Sequence, residues 1–284
     1  MSMTVKHNRV KLVPVPSNAL VPDRDAGKMP VLDCRNLGIT FGGLKAVENF
    51  NLTIGPTEIA GLIGPNGAGK TTVFNLLTKV YQPTTGTILL NGHDTHSMST
   101  VQVNRAGIAR TFQNIRLFNN LSVADNVKAG MEHTLHYGMA SGILRLPSYW
   151  KEERAAHSRA LELLELFDMQ DMAGVQAGSL PYGAQRRLEI VRALATGPSL
   201  LLLDEPAAGM NPSETAELME TIRKIRDTFH IAIMLIEHDM NLVMNVCEGI
   251  CVLNFGRVIA KGGPEDIQHD PAVIEAYLGK QKEA

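Results

Sequence analysis

Nine consecutive residues have the composition and spacing of a loop that binds phosphate groups. The run Gly64-Pro65-Asn66-Gly67-Ala68-Gly69-Lys70-Thr71-Thr72 fits the pattern G-x-x-x-x-G-K-[ST] in full. Glycines let successive backbone N–H groups turn inward around an anion, and a helix that begins at the end of the loop adds its dipole. We therefore predict an ATP site in which Lys70 reaches the β- and γ-phosphates and the Thr71 hydroxyl is a ligand of Mg²⁺.

Two acidic residues follow a run of four leucines, Leu200 to Leu203. A continuous apolar run of this length is typical of a strand buried in a parallel sheet, and ligands bind beyond the carboxyl ends of such strands. Asp204 is therefore predicted to hold Mg²⁺, and Glu205 to activate the water that attacks the γ-phosphate. A strand that simply ends in two solvated acids is the alternative, and the phosphate loop argues against it.

These groups need strands and helices to hold them in place, and the apolar patterns indicate which segments do so. The predicted strands are 31–41, 57–63, 86–90, 200–203, 231–236, 250–255 and 258–260. The predicted helices are 70–79, a helix that starts near Ser122, 151–167, 183–196, 213–229 and 272–278. This alternation predicts an α/β fold with a mixed sheet at its core and a mostly helical subdomain at about 115–195.

Composition sets limits on the class of protein. The 284 residues are 44% hydrophobic and 20% charged, and the net charge of -2 argues against a nucleic-acid partner. Three cysteines without framework spacing, no apolar run of membrane-spanning length and no secretory signal predict a soluble intracellular protein. Prolines at 14, 16, 22 and 30 predict a tail at 1–30, followed by a single domain at 31–280.

Further motifs make the chain similar to the ATP-binding cassette (ABC) family across about 31–280. Thr111-Phe112-Gln113 resembles the Q-loop of that family, Ile236-Glu237-His238-Asp239 resembles its switch-histidine loop, and Phe41 stands where an aromatic ring stacks on adenine. The resemblance implies a P-loop NTPase of ABC type with an N-terminal antiparallel β part. It also implies that Gln113 contacts Mg²⁺ and the attacking water, and that His238 contacts the γ-phosphate. Taken alone, each of these residues would more often be structural.

The family signature Leu-Ser-Gly-Gly-Gln is altered here. The corresponding segment is Leu180-Pro181-Tyr182-Gly183-Ala184-Gln185. In the family this segment caps the ATP of the opposite subunit, and Pro181 offers neither the usual hydroxyl nor an N–H. The amides of Gly183 and Ala184 remain at a helix start, so the resemblance implies a working but altered trans site. Asn211 likewise stands where aspartate is usual, and it keeps the capacity to hydrogen-bond.

Three features of the chain resemble the ATPase subunits of branched-chain amino-acid importers. They are the altered signature, the residues Gln-Arg-Arg-Leu-Glu that continue it, and the residues Ala-Ala-Gly-Met-Asn-Pro in the loop after Glu205. The stretches 110–118, 141–149 and 264–279 look like the first of the two ATPase subunits of that system. This resemblance implies transmembrane permease subunits, a second ATPase subunit that is identical or different, and an extracytoplasmic substrate-binding protein as partners. It implies a peripheral position on the cytoplasmic face of the inner membrane.

Three rival interpretations stay open from the sequence. The first is the same ATPase role in another ABC system, such as lipopolysaccharide export or amide or urea import. The second is a soluble cassette protein that acts on DNA or ribosomes, although such proteins usually carry two cassettes or a long coiled-coil insertion. The third is a P-loop switch or kinase without transport.

Overall fold

The computed structural model of the chain describes Leu20, residues 28–132 and residues 144–278. Most of the predicted tail at 1–30, the first residues of the 141–149 stretch and the end of the chain after 278 lie outside the described residues. The tail at 1–30 and the helical subdomain at about 115–195 stay predictions.

Ten strands in the described part of the chain form two sheets. In chain order they are β1 (Leu32–Phe41), β2 (Leu44–Ile54), β3 (Ile59–Ile63), β4 (Thr85–Leu90), β5 (His93–Asp94), β6 (Ile108–Arg110), β7 (Leu200–Asp204), β8 (Ala232–Ile236), β9 (Gly249–Asn254) and β10 (Arg257–Gly262). The first sheet is antiparallel in the order β2-β1-β4-β5. The second has the order β10-β9-β3-β8-β7-β6 and is parallel except for the edge strand β10.

The parallel sheet is built from the apolar runs that the sequence singles out. Every residue of β3, β7 and β8 is buried, as expected for strands covered on both faces. Because parallel strands share a direction, β3, β6, β7 and β8 all end at the same edge of the sheet. The segments that follow them are those that carry Gly64, Gln113, Glu205 and His238.

Helices surround this sheet. In the described ranges they are α1 (Lys70–Leu77), α2 (Thr100–Ala106), α3 (Val123–Gly130), α4 (Pro147–Glu165), α5 (Tyr182–Leu194), α6 (Pro212–Phe229), α7 (Met240–Val246), α8 (Pro264–His269) and α9 (Pro271–Leu278). The helix start near Ser122 is confirmed, because its hydroxyl accepts the N–H of Asp125 at 3.0 Å. No helix among these is long and apolar enough to cross a bilayer.

Alternate side chains of β7 pack into two separate cores. Leu200 and Leu202 join α1 and the antiparallel sheet on one face, whereas Leu201 and Leu203 pack against α3, α5 and α6 on the other. This division follows from the two-residue period of a strand. The strand that carries Asp204 is therefore fixed from both sides.

All three cysteines are buried and none is in a disulfide. Burial raises the pKa of the Cys34 and Cys247 thiols well above their ordinary value and raises that of Cys251 to about 12. These thiols are small apolar groups of the core and stay protonated at neutral pH.

Candidate functional site

The predicted phosphate-binding loop joins the end of β3 to the start of α1. Gly64, Gly67 and Gly69 have φ angles of 147°, 77° and 105°, a region that glycine adopts without strain. A Cβ on Gly64 would lie 2.0 Å from the carbonyl oxygen of Leu253, so only glycine fits where the loop leaves the sheet. The loop is thereby shaped to turn its backbone N–H groups around an anion.

Lys70 begins α1 and folds back over the loop. Its Nζ donates to the carbonyl oxygens of Gly64 at 2.6 Å and Pro65 at 3.0 Å. Burial lowers the pKa of Lys70, and the negative charges of Glu205 and Asp204 act in the opposite direction. The ammonium is therefore held against the start of the loop, where it interacts electrostatically with both acids.

Three side chains that the sequence assigns to catalysis meet at Glu205. The amide Nε2 of Gln113 donates to Glu205 Oε2 at 2.6 Å, and His238 Nε2 lies 2.9 Å from Glu205 Oε1. The three residues come from the loops after β6, β7 and β8, so the shared edge of the parallel sheet brings them together. Glu205 has a left-handed backbone with φ of 48°, which is uncommon for a residue with a Cβ and typical of functional turns.

Asp204 ends β7 with its side chain buried against Arg110. Arg110 Nη2 donates to Asp204 Oδ2 at 2.6 Å, and its Nη1 donates to Asn75 Oδ1 on α1 at 2.7 Å. The sequence analysis missed Arg110, because 94 positions separate it from its acidic partner. The pair ties the acidic strand to the helix that follows the phosphate loop.

The residues predicted to hold Mg²⁺ offer the right kinds of ligand. Thr71 contributes a hydroxyl, Asp204 a carboxylate, and Gln113 an amide oxygen that stays available because its nitrogen is engaged by Glu205. Oxygen donors of this sort are those that Mg²⁺ prefers. The donor set fits the ion.

Phe41 ends β1 on the surface rather than in the core, with 43% of the residue exposed. Its ring meets that of Tyr81 edge to face, with centroids 5.1 Å apart. An exposed ring held by a second ring is suited to stack on a base, as predicted for Phe41. Tyr81 was not identified from the sequence.

The signature segment lies at the start of α5. Pro181 is the N-cap residue, and the side-chain Nε2 of Gln185 donates to the carbonyl oxygen of Leu180 at 2.8 Å. The Tyr182 hydroxyl donates to the carbonyl oxygen of Ala208 at 3.0 Å. The unusual tyrosine therefore connects this segment to the loop after Glu205. Whether residues 180–185 cap a partner's nucleotide stays a prediction.

Asn211 hydrogen-bonds as the sequence analysis expected. Its side chain accepts the N–H of Glu214 at 3.0 Å and the Glu214 carboxylate accepts the N–H of Asn211 at 2.9 Å, which together form a capping box at the start of α6. The amide therefore serves a local structural role here.

Glu237 is a further residue that the sequence analysis left without a role. Its buried carboxylate accepts the N–H of Ala207 at 2.7 Å and that of His238 at 3.1 Å. Burial raises the pKa of this carboxyl group. Glu237 thus fastens the histidine loop to the loop that follows Glu205. In the sequence, the only indication of this role was the position of an acidic residue directly after a buried strand.

Tyr277 of α9 lies beside Gly64, the first residue of the phosphate loop. Burial raises the pKa of the Tyr277 hydroxyl, and the backbone N–H of Gly64 partly offsets that rise through a hydrogen bond. A tyrosine near the chain end gave no sign of this proximity in the sequence.

Comparisons with known proteins agree with this geometry. The family model described as "ABC transporter" matches residues 47–208, more than half of the chain. A second model, described as "Branched-chain amino acid ATP-binding cassette transporter", matches residues 257–283.

Among curated relatives, the chain is 48% identical to the high-affinity branched-chain amino acid transport ATP-binding protein LivG of Escherichia coli (strain K12), over 88% of this chain and 98% of that protein. It is 44% identical to the corresponding protein BraF of Pseudomonas aeruginosa, over 88% of this chain and 98% of that protein. It is 33% identical to the lipopolysaccharide export system ATP-binding protein LptB of Escherichia coli (strain K12), over 89% of this chain and 98% of that protein.

Among solved structures, the chain resembles the ADP conformation of an ATP-binding cassette of an ABC transporter, with a TM-score of 0.77 and 27% identity. The match covers 89% of this chain and 100% of that one. A nucleotide-free cassette from an ABC transporter matches with a TM-score of 0.76 and the same identity and coverage.

Proposed function

The chain belongs to the ABC transporter family, and from that membership we propose that it is the ATP-hydrolysing subunit of a transporter that takes up branched-chain amino acids through partner membrane permeases. The observation that carries this proposal is the contact of Gln113 and His238 with the two carboxylate oxygens of Glu205, at the sheet edge that also bears the phosphate loop. Many P-loop proteins share the loop alone. This additional constellation supports hydrolysis, because it orients a carboxylate that can accept a proton from water.

Each residue has a proposed role in hydrolysis. The N–H groups of residues 64–69 and the Lys70 ammonium bind the phosphates, while Phe41 stacks on the adenine. Glu205 accepts the proton of the attacking water, a role worth about 10²–10⁴-fold in rate. Gln113 and His238 orient that carboxylate, and His238 contacts the γ-phosphate in the proposed complex. Thr71, Asp204 and Gln113 would hold Mg²⁺, which neutralises charge on the phosphates when bound.

The assembly we propose contains two cassettes. Residues 180–185 of one chain cover the ATP on the loop of the other, and the second cassette is either an identical chain or a related ATPase subunit. The membrane permeases hold the pair at the cytoplasmic face of the inner membrane, and an extracytoplasmic binding protein delivers the amino acid. No nucleic acid takes part.

The substrate class rests on two similarities. Identity to the branched-chain proteins LivG and BraF is 48% and 44%, against 33% to the export protein LptB. The family model at 257–283 also points to branched-chain systems. Export of lipopolysaccharide and import of amides or urea are therefore less well supported.

The proposal is tested with the complete transporter in proteoliposomes. The chain is reconstituted with its permease subunits, its second ATPase subunit and its binding protein, and uptake of labelled leucine is measured with ATP on the cassette side. We expect uptake that requires ATP and disappears in Glu205→Gln. ATP hydrolysis without leucine uptake, together with transport of urea or a lipid, would overturn the proposed substrate class. No hydrolysis in any assembly would overturn the ATPase role.

A further inference from the structure

Arg186 connects the signature helix α5 to the loop that carries Gln113. Its side chain is buried, Nη1 donates to the carbonyl oxygen of Phe112 at 2.7 Å, and Nη2 donates to the carbonyl oxygen of Gln113. Glu189, one turn further along α5, lies 3.4 Å from Arg186 and accepts the N–H of Arg116 at 3.2 Å. Two buried charged residues of α5 thus hydrogen-bond to the backbone of residues 112–116.

This arrangement is costly unless it is complete. A buried guanidinium and a buried carboxylate each lose their hydration, and partners offset that loss. Arg186 and Glu189 contact each other, and their other hydrogen bonds go to backbone groups of one loop, while Arg186 Nε has no hydrogen-bond partner among the described residues. Because the loop partners are backbone groups, the pair constrains the path of that loop. The loop in turn determines where the Gln113 amide lies relative to Glu205.

One turn earlier on α5, Tyr182 contacts the loop that follows Glu205. The Tyr182 ring lies over the Arg186 guanidinium at 5.6 Å, and its hydroxyl bonds to Ala208, three positions after Glu205. Gly209 lies beside that ring, since a Cβ there would be in ordinary van der Waals contact with Tyr182 Cε1 at 3.4 Å. The first two turns of α5 therefore contact both loops that flank Glu205.

We propose that Arg186 is a positioning residue that couples the signature segment of a chain to hydrolysis in that same chain's own nucleotide site. When residues 180–185 settle on the nucleotide of the opposite cassette, α5 carries Arg186 with it, and Arg186 sets the Gln113 amide against Glu205. Occupancy of one site then prepares the other. This inference rests on the two-cassette assembly proposed above and adds a residue that transmits between its sites.

The first test uses Arg186→Gln and Arg186→Lys in the complete transporter. We expect the kcat of Arg186→Gln to fall roughly tenfold or more, since small displacements of a catalytic group cost that much. The KM for ATP should stay within about twofold, because the phosphate loop keeps all its contacts. Arg186→Lys keeps the charge, yet one ammonium cannot serve both carbonyls with the fixed fork of arginine, so its kcat should be intermediate.

Arg223 provides a control with similar partners at the surface, since 38% of its side chain is exposed against 3% of that of Arg186. It also pairs with a glutamate three residues away, Glu220 at 3.1 Å, and donates to a backbone carbonyl, that of Asn245 at 2.7 Å. It lies on α6 and touches neither flanking loop. Arg223→Gln should leave kcat within about twofold of the wild type.

A double-mutant cycle separates coupling from general damage. If Arg186 acts through Gln113, then Arg186→Gln should cause little further loss of kcat in a Gln113→Ala background. The proposal would be overturned if the kcat losses of the two single variants multiply in the double variant. It would also be overturned if a rise in KM accounts for the whole fall in kcat/KM. A wild-type kcat in Arg186→Gln would do the same. Absence of hydrolysis by the wild type in every assembly would instead contradict the proposed function.

Hydrogen exchange of the full chain gives a readout that needs no activity. In Arg186→Gln, or in Arg186→Lys if the first variant does not fold, amides of residues 112–118 should exchange faster. Those of the phosphate loop and of β7 should be unchanged. Uniform acceleration over the chain would indicate a loss of stability alone and would overturn the positioning role.

Discussion

The Nε2 atom of His238 lies 2.9 Å from one carboxylate oxygen of Glu205, while the Gln113 amide donates to the other at 2.6 Å. Each oxygen keeps a further lone pair, so the carboxylate can still accept a hydrogen bond from water. Its orientation is fixed by residues from two different loops. Glu205 is therefore held in place before the nucleotide binds.

Replacing this carboxylate should separate binding from hydrolysis. In Glu205→Gln we expect ATP hydrolysis in the complete transporter to fall about 10²–10⁴-fold, with ATP affinity changed only a few-fold. Phosphate release and titration with a fluorescent ATP analogue measure the two quantities. Glu220→Gln, on the exposed side of α6, is the control. Hydrolysis within threefold of the wild type would contradict the assignment of Glu205 as the base.

Two glycines of the phosphate loop should respond differently to the same substitution. Gly67→Ala meets no atom within 4 Å and suffers only from its positive φ, which costs about 1 kcal/mol. Gly64→Ala adds a methyl group 2.0 Å from a carbonyl oxygen of β9, so its loss should be several-fold larger. Urea unfolding of both variants measures the difference. Equal losses would show that the loop can move away from β9.

The aromatic pair at the end of β1 should control affinity for adenine nucleotides. Phe41→Ala removes the exposed stacking ring, and base stacking of this type contributes about 1–3 kcal/mol, so ATP should bind roughly tenfold more weakly. Tyr81→Leu should weaken binding less, through loss of the ring that supports Phe41. Tyr81→Phe keeps that ring and serves as the control. Isothermal titration of ATP gives all three affinities.

The Arg110–Asp204 ion pair should be costly to break from one side. Both side chains are only 7% exposed, so Arg110→Met leaves a buried carboxylate without its partner, at a cost of about 3–5 kcal/mol. The double variant Arg110→Met with Asp204→Asn should regain much of that loss. Chemical unfolding in the absence of nucleotide measures both. A double variant less stable than the single one would contradict the expected compensation.

Glu237 should give stability a specific dependence on pH. Burial raises its pKa above the ordinary value of 4.5, so just above pH 4.5 the folded chain binds more protons than the unfolded one. The contribution of Glu237 to stability therefore falls as pH rises through the window between 4.5 and the raised pKa. Relative to Glu237→Gln, the wild type should lose unfolding free energy over that window. A difference in unfolding free energy between the two proteins that stays constant across this window would contradict the expected dependence.

The residues that could be predicted from sequence are those whose signal is local. The phosphate loop, the leucine strand and the carboxylates after it are contiguous, and the structure puts β7 where the apolar run indicates. The strand β2 was missed because polar residues interrupt it and its pairing with β1 has register shifts. The short helices α2, α7 and α8 bury only one to three residues each, too few for a clear period.

The supporting residues of the site could not be predicted for a different reason. Arg186 reaches Phe112 across 74 positions, and Glu237 reaches Ala207 across 30. Only the tertiary fold makes these pairs neighbours, and the identity of a charged residue in a sequence does not indicate which residue it will pair with. The family pattern identifies the groups predicted to contact the nucleotide, but not the residues that hold those groups in place.

The burial of all three thiols makes this chain a convenient background for site-directed labelling. Cys34, Cys247 and Cys251 lie in the core as protonated thiols, and reagents such as maleimides react with accessible thiolates. A cysteine introduced on the exposed surface of α5 or of the 112–118 loop would thus be the only fast-reacting site in the native protein. Dye pairs or spin labels attached there would report the movement of one cassette against the other without removal of any native residue.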